Sequence, residues 1–184
     1  MTTHHFEERE AALRDGRKVR LRAVRADDVA GFVGFFDGLS AQSRDFMHGW
    51  SDQCTREHAE KLAARVDAPD HLAVVAVTIE QPERFVGYCW IDGMGGDDAP
   101  MLGIGIIDEF HGAGLGKILL RALVAWAGRL GAERVRLGVW MDNARALRVY
   151  RAVGFDDDPT LPAKDFDGRT ELYMVVRILH GESE

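Results

Sequence analysis

The chain has 184 residues, 46% hydrophobic and 29% charged, a composition that suits one well-buried core and excludes disorder or a fibrous repeat. Its 23 basic and 30 acidic residues give a formal charge of −7. That balance offers no general attraction for nucleic acid or for an anionic membrane, and it suits a cationic substrate.

Two cysteines, Cys54 and Cys89, lie far apart without neighbours at metal-ligand spacing, so neither a disulfide framework nor a zinc site is expected. His4 and His5 lack further ligands nearby, and no metal is expected. The N-terminus is polar, and the apolar runs fall well short of the roughly 20 residues that span a bilayer, so the expectation is a cytoplasmic protein without membrane association.

Residues 1–16 lack apolar periodicity and end at Gly16, and are expected to form an extension outside the core, with one domain over 17–184. In "KVRLRAV", Val19, Leu21 and Ala23 alternate with basic residues and predict a half-buried strand; Asp27 and Asp28 then signal a helix over "VAGFVGFFDGL". "SAQSRDFMHGW" reads as a short helix or lid, and "TREHAEKLAARV" as a helix with Thr55 as N-cap. The runs at 71–79 and 84–91, joined by "EQPE", predict a hairpin. A loop rich in glycine and aspartate, "DGMGGDDAP", leads to a strand over 101–107. A helix follows from about 115 to 130, with Leu115, Leu119, Leu123, Trp126 and Leu130 on one buried face and Gly131 ending it. "RVRLGVW" predicts another strand, 143–152 a short helix, and 170–179 the last strand. Strands in series with helices between some of them predict a mixed α/β sheet.

The chemistry concentrates in "EFHGAGLGKILLRAL", residues 109–123, where Gly112, Gly114 and Gly116 stand just ahead of a helix. Glycine lets a backbone approach a ligand closely, and the first amides of a helix point outward without partners. With the helix dipole and Lys117 in the first turn, they would form an anion cradle. The alternative is a turn needing positive φ followed by close helix packing. A Walker loop is excluded, because Ile118 follows Lys117 and His111 stands where its first glycine belongs; a dinucleotide fingerprint fails because position 117 is lysine.

The stretch His111-Gly112-Ala113-Gly114-Leu115-Gly116 resembles the diphosphate loop of the GNAT superfamily of N-acetyltransferases, Arg/Gln-x-x-Gly-x-Gly/Ala, with His111 in place of the Arg or Gln. Downstream, "DNARALRVYRAVGF" resembles the same family's Asn-x-x-Ala-x-x-x-Tyr-x-x-x-Gly-Phe pattern through Asn143, Ala146, Tyr150, Gly154 and Phe155. Seven residues are nearly two helical turns, so Asn143 and Tyr150 project from one face. Alone, Asn143 would read as an N-cap and Tyr150 as a packed aromatic.

The resemblance, close over 100–155, implies an α/β fold with a mixed, mostly antiparallel central sheet flanked by helices, and transfer of an acetyl group from acetyl-CoA directly to an amine. It implies that backbone groups of Ile106 and Ile107 pair with the pantetheine arm, that residues 111–117 hold the diphosphate, that Asn143 bonds the arm and that Tyr150 protonates the departing thiolate. Arg145, Arg148 and Arg151 could assist the phosphates, though a basic helix face more often is solvated.

An alkylammonium near pKa 10 must lose a proton before it attacks, so a base is expected. The family's usual glutamate is missing from Pro100-Met101-Leu102, which leaves Asp92, Asp97, Asp98, Asp108, Glu109 or a water relay. A CoA-binding sensor with little activity is the competing reading. A homodimer is compatible with the resemblance, and the acceptor amine is not specified.

Overall fold

The computed structural model describes residues 5–47 and 54–178. In chain order it contains strands β1 (Arg9–Ala12) and β2 (Lys18–Ala23), then helices α1 (Val29–Asp37), α2 (Ala41–Asp45) and α3 (Arg56–Ala63). Strands β3 (His71–Thr78), β4 (Phe85–Asp92) and β5 (Met101–Ile106) precede a 3-10 turn (Asp108–Phe110) and helix α4 (Leu115–Arg129). Strand β6 (Arg134–Trp140), helix α5 (Ala144–Arg151) and strands β7 (Asp156–Asp157), β8 (Lys164–Phe166) and β9 (Arg169–Arg177) complete the fold. The strands form one sheet in the order β1-β2-β3-β4-β5-β6-β9-β7, with β8 also on β9. Every pairing is antiparallel except that of β5 with β6. The expected mixed, mostly antiparallel sheet flanked by helices is thus the observed one.

Helices cover both faces of the sheet's centre, which is why β3 reads as an unbroken apolar run rather than an alternation. On one face α4 buries Leu115, Leu119, Leu120 and Leu123. It comes so close to β4 that a Cβ at Gly87 would lie 2.7 Å from Leu119 Cδ1. On the other face α1 buries Phe32, Phe35 and Phe36, and the Phe32 ring meets Tyr88 edge-on at 5.0 Å.

The ends of the helices follow local chemistry. Ser40 Oγ accepts from Ser43 N–H (3.2 Å) and Thr55 Oγ1 from His58 N–H (3.2 Å), each capping a helix start. At the end of α4, Gly131 adopts φ +93°, and the bonds Gly131 N–H to Gly128 O and Ala132 N–H to Ala127 O close a Schellman motif.

Two expectations change. Residues 9–12, expected outside the core, pair with β2, and Phe6 and Leu13 are buried. The short strand, four residues long and mostly exposed, carries too little alternation to be seen in sequence. Asp28 precedes α1 without capping it; its carboxylate instead takes two bonds from the buried Arg22 guanidinium, each 2.8 Å, and one from Arg25 N–H (2.7 Å). Residues 48–53 of the expected helix or lid, and position 179 of the last strand, lie outside the described residues.

Candidate active site

The sheet opens at its one parallel pairing. β5 and β6 are in register only at Met101 and Arg136, beside a bond from Arg136 N–H to Pro100 O (2.9 Å); beyond it the strands part. Ile107 N–H donates to Val86 O on β4 (3.1 Å), so by alternation the N–H and C=O of Ile106 point into the gap. The gap continues into a cleft of about 460 Å³ whose lining includes Ile104, Gly105, Ile106, His111, Lys117, Asn143 and Tyr150.

The glycine loop forms one wall. Gly112 and Gly114 have φ of +76° and +90°, a backbone region that only glycine adopts without strain. Gly114 is the residue before α4, and the first intrahelical bond runs from Ile118 N–H to Gly114 O (3.4 Å). The N–H groups of Leu115, Gly116 and Lys117 therefore precede the helix ladder and are available to a ligand. Gly116 serves a different need: a Cβ there would lie 3.3 Å from Val149 and 3.4 Å from Ile106, so its absence lets α4, α5 and β5 meet.

The loop is held from several directions. Asp108 accepts from Ser40 N–H (2.9 Å), Ser40 Oγ (2.8 Å) and Ser43 Oγ (3.0 Å). Its partial burial alone would raise its pKa, but the Ser40 and Ser43 bonds hold it below the ordinary carboxylate value. Glu109 pairs with Arg84 (2.7 Å), and Arg17 lies 3.7 Å over the Phe110 ring. Arg14 N–H donates to Ala113 O (3.0 Å).

His111 has a defined tautomer. Arg145 Nη1, which can only donate, lies 2.7 Å from His111 Nδ1, so that nitrogen carries the lone pair; Nε2–H then donates to Ile106 O at 2.8 Å. Burial and then the Arg145 charge push the His111 pKa below its ordinary value, in keeping with a neutral ring. The first position of the loop thus carries an Arg at one remove, through its histidine.

Charge in the cleft runs opposite to that of the whole chain. Arg14, Lys117, Arg145 and Arg148 line it, and among the described lining residues there is no carboxylate. Of the lining residues Tyr150 is buried on α5, and desolvation, followed by the neighbouring Cys89, raises its pKa. Its phenol is protonated at neutral pH, so it can serve as an acid but not as a base. Asn143, which lines the cleft, also caps α5, accepting from Ala146 N–H at 3.1 Å through Oδ1.

Of the residues expected at the site, Ile106, His111, Gly112, Gly114, Leu115, Gly116, Lys117, Asn143 and Tyr150 line this cleft. Ile107 and Ala113 do not. Ile107 N–H is used by Val86 and its carbonyl accepts from Phe110 N–H (2.9 Å), so Ile107 offers the cleft no backbone group; Ala113 is buried and binds Arg14 through its carbonyl.

Asp92 is not brought to the cleft. It ends β4 between His71 Nδ1 and Arg65 Nη2, each 2.7 Å away. Burial would raise its pKa, but His71 and then Arg65 keep it below the ordinary value, which makes it a weak base. Asp97 and Asp98 line a separate groove, and Arg151 pairs with Asp157 on the exposed face of α5. Sequence reasoning missed Arg14, Ser43, Phe46, Met47 and Phe110, which also line the cleft. Arg14 carried a signal only in its charge, and lay in a segment expected outside the core. Among the described residues no group of three or more His, Cys, Asp or Glu is placed to hold a metal, and no helix is long and apolar enough to cross a membrane.

A mixed sheet that opens at its parallel pair, with a glycine-led helix N-terminus at the mouth, defines the N-acetyltransferase class of fold. The chain belongs to the acetyltransferase (GNAT) family, which it matches over residues 35–155. A mycothiol acetyltransferase of Kineococcus radiotolerans is 37% identical over 100 residues, 52% of this chain and 31% of that protein. An uncharacterised N-acetyltransferase of Mycobacterium tuberculosis is 33% identical over 103 residues, 56% of this chain and 66% of that protein. The chain spans between 29% and 39% of three mycothiol acetyltransferases that it matches. Among solved structures, the GNAT domain of S. lividans PAT superposes with a TM-score of 0.74 at 21% identity, covering 92% of this chain and 97% of that one. A Vibrio cholerae spermidine N-acetyltransferase in complex with CoA and spermine gives 0.70 at 16% identity over 86% and 95%; both likenesses concern the fold.

Proposed function

We propose that the protein transfers an acetyl group from acetyl-CoA directly to a primary amine of a small molecule or protein. The observation that carries this reading is that one cleft is lined both by a cationic, amide-bearing cradle and by a buried, protonated phenol. Two left-handed glycines shape the cradle to admit a diphosphate where a Cβ-bearing backbone would be strained, so the residues fit the ligand. The amides of Gly112 and of residues 114–117, with the side chains of Lys117, Arg14 and Arg145, would hold that diphosphate. The Ile106 N–H and Asn143 Nδ2 would bond the pantetheine arm.

Acetyl-CoA supplies the activated acyl group and a thiol leaving group. Tyr150 would give the leaving sulfur its proton, and because a phenol is ordinarily a weaker acid than a thiol and burial weakens Tyr150 further, positioning must carry the transfer. No covalent enzyme intermediate is needed. The negative charge of the chain outside the cleft suits a cationic amine.

The test is release of free thiol from acetyl-CoA in the presence of polyamines, aminoglycosides, amino acids and lysine peptides, with CoA affinity measured by calorimetry. Turnover on at least one acceptor is expected. Tight CoA binding without turnover on any of them would favour a sensor, and absence of CoA binding would overturn the reading.

A further inference from the structure

The cleft holds more positive charge than a diphosphate can balance. Arg14, Lys117, Arg145 and Arg148 line it, and among the described residues none of them takes part in an ion pair. Arg145 does meet His111, but that ring is neutral, so the guanidinium keeps its full charge. The helix dipole at the start of α4 adds a further positive contribution.

The surroundings of Arg148 single it out. Arg145, Arg148 and Arg151 recur at every third position of α5, a spacing at which like charges on a helix repel. Asp157 partners Arg151 at 3.5 Å; no carboxylate among the described residues does the same for Arg148. The next residue, Val149, packs on α4 where Gly116 leaves room, its Cγ1 3.3 Å from where a Cβ would stand. Arg148 is thereby set beside the first turn of α4, in the same cleft as Lys117 and the amide cradle.

Charge decides what such an arrangement takes. The diphosphate of CoA has one ionised oxygen on each phosphorus, and the amides with Lys117, Arg14 and Arg145 suffice for it. Against the four side-chain cations of the cleft this leaves a surplus. The other ionised group of CoA is the phosphomonoester on its ribose, which carries about 1.5–2 negative charges at neutral pH and cancels that surplus. A guanidinium suits it, because its planar fork can donate two parallel N–H bonds to phosphate oxygens.

Resting on the transfer reading above, we propose that Arg148 binds the ribose phosphomonoester of acetyl-CoA and makes the protein select CoA over its dephosphorylated form. The monoester is at the opposite end of the molecule from the thioester. The contact therefore serves capture of the donor and leaves the chemical step to other residues.

Calorimetric titration at one fixed salt concentration compares CoA with dephospho-CoA on the native protein, on Arg148→Gln and on Arg121→Gln. Arg121 stands one turn beyond Lys117 on the exposed side of α4 and does not line the cleft, so it reports the general effect of removing a positive charge. We expect native protein to bind CoA at least about tenfold more tightly than dephospho-CoA, the range of a charge-assisted contact. Arg148→Gln should lose about tenfold or more for CoA and less than about threefold for dephospho-CoA, so that the preference collapses, whereas Arg121→Gln should keep it. The comparison of the two ligands on native protein stands whether or not a variant folds. A native preference below about threefold, or equal losses for both ligands in Arg148→Gln, would overturn the proposal and leave the donor site standing. Native protein that binds neither ligand would sink the transfer reading beneath it.

Discussion

Replacing Gly114 by valine separates the cradle from the fold that carries it. Gly114 sits at φ +90°, where an L-residue costs about 1–2 kcal/mol, with a β-branched side chain at the upper end. Space is not the obstacle: a Cβ would lie 3.4–3.6 Å from Arg14 Nε, Cγ and Cδ, ordinary contact. A loss of about 2 kcal/mol leaves a domain stable by about 5–15 kcal/mol folded, with a melting temperature lowered by roughly 4–8 °C. The local backbone would escape its strain by rotating, and the amides that follow would turn with it. If two hydrogen bonds to a diphosphate are lost at about 1.5–3 kcal/mol each, CoA affinity falls by at least about a hundredfold. Calorimetric titration of CoA into Gly114→Val, alongside a thermal melt, measures both quantities. A variant that melts as expected yet binds CoA within about threefold of native would refute the cradle.

Tyr150→Phe should lower turnover by about a hundredfold or more while CoA affinity changes little; steady-state rates beside calorimetry distinguish this from a packing role, which would move both together. His111 is held neutral with a lowered pKa, so the unfolded chain takes up its proton first. That stabilising share is present above about pH 6.5 and is lost as pH falls from there. In His111→Gln the amide can keep both bonds without titrating, and its melting temperature should fall less than native between pH 7 and 5.5; equal slopes would exclude His111 as the source. Asp158, where burial is outweighed by Thr160 and Arg136, has its pKa lowered to about 2. Its contribution of about 2 kcal/mol is present above pH 4 and is lost as pH falls through 2, so Asp158→Asn should flatten the acid-unfolding profile in that window.

The cleft residues whose proposed role rests on backbone geometry were the most legible in sequence. Three glycines ahead of a periodic helix announced the loop, although two of them serve positive φ and the third serves packing. Asn143 and Tyr150 were legible through the family pattern they resemble, with helix periodicity setting both on one face, and Asn143 proved to be cap and cleft residue together. What escaped depends on contacts between segments distant in sequence. Arg14 reaches the cleft because β1 closes on β2 and its turn meets Ala113. Ile107 is one alternation away from Ile106, and only the observed pairing with β4 shows which of the two faces the gap. Asp92 has the right chemistry for a base, and nothing in sequence reveals that Arg65 and His71 claim it.

The single backbone pairing between β5 and β6 means that the sheet is joined across its middle by one rung, with α4 and α5 bridging the remainder. A bound chain with its own amides could stand in for the absent rungs and lock the two halves together. Occupancy and rigidity would then rise in step, because the seam joined by one rung opens into the proposed cleft.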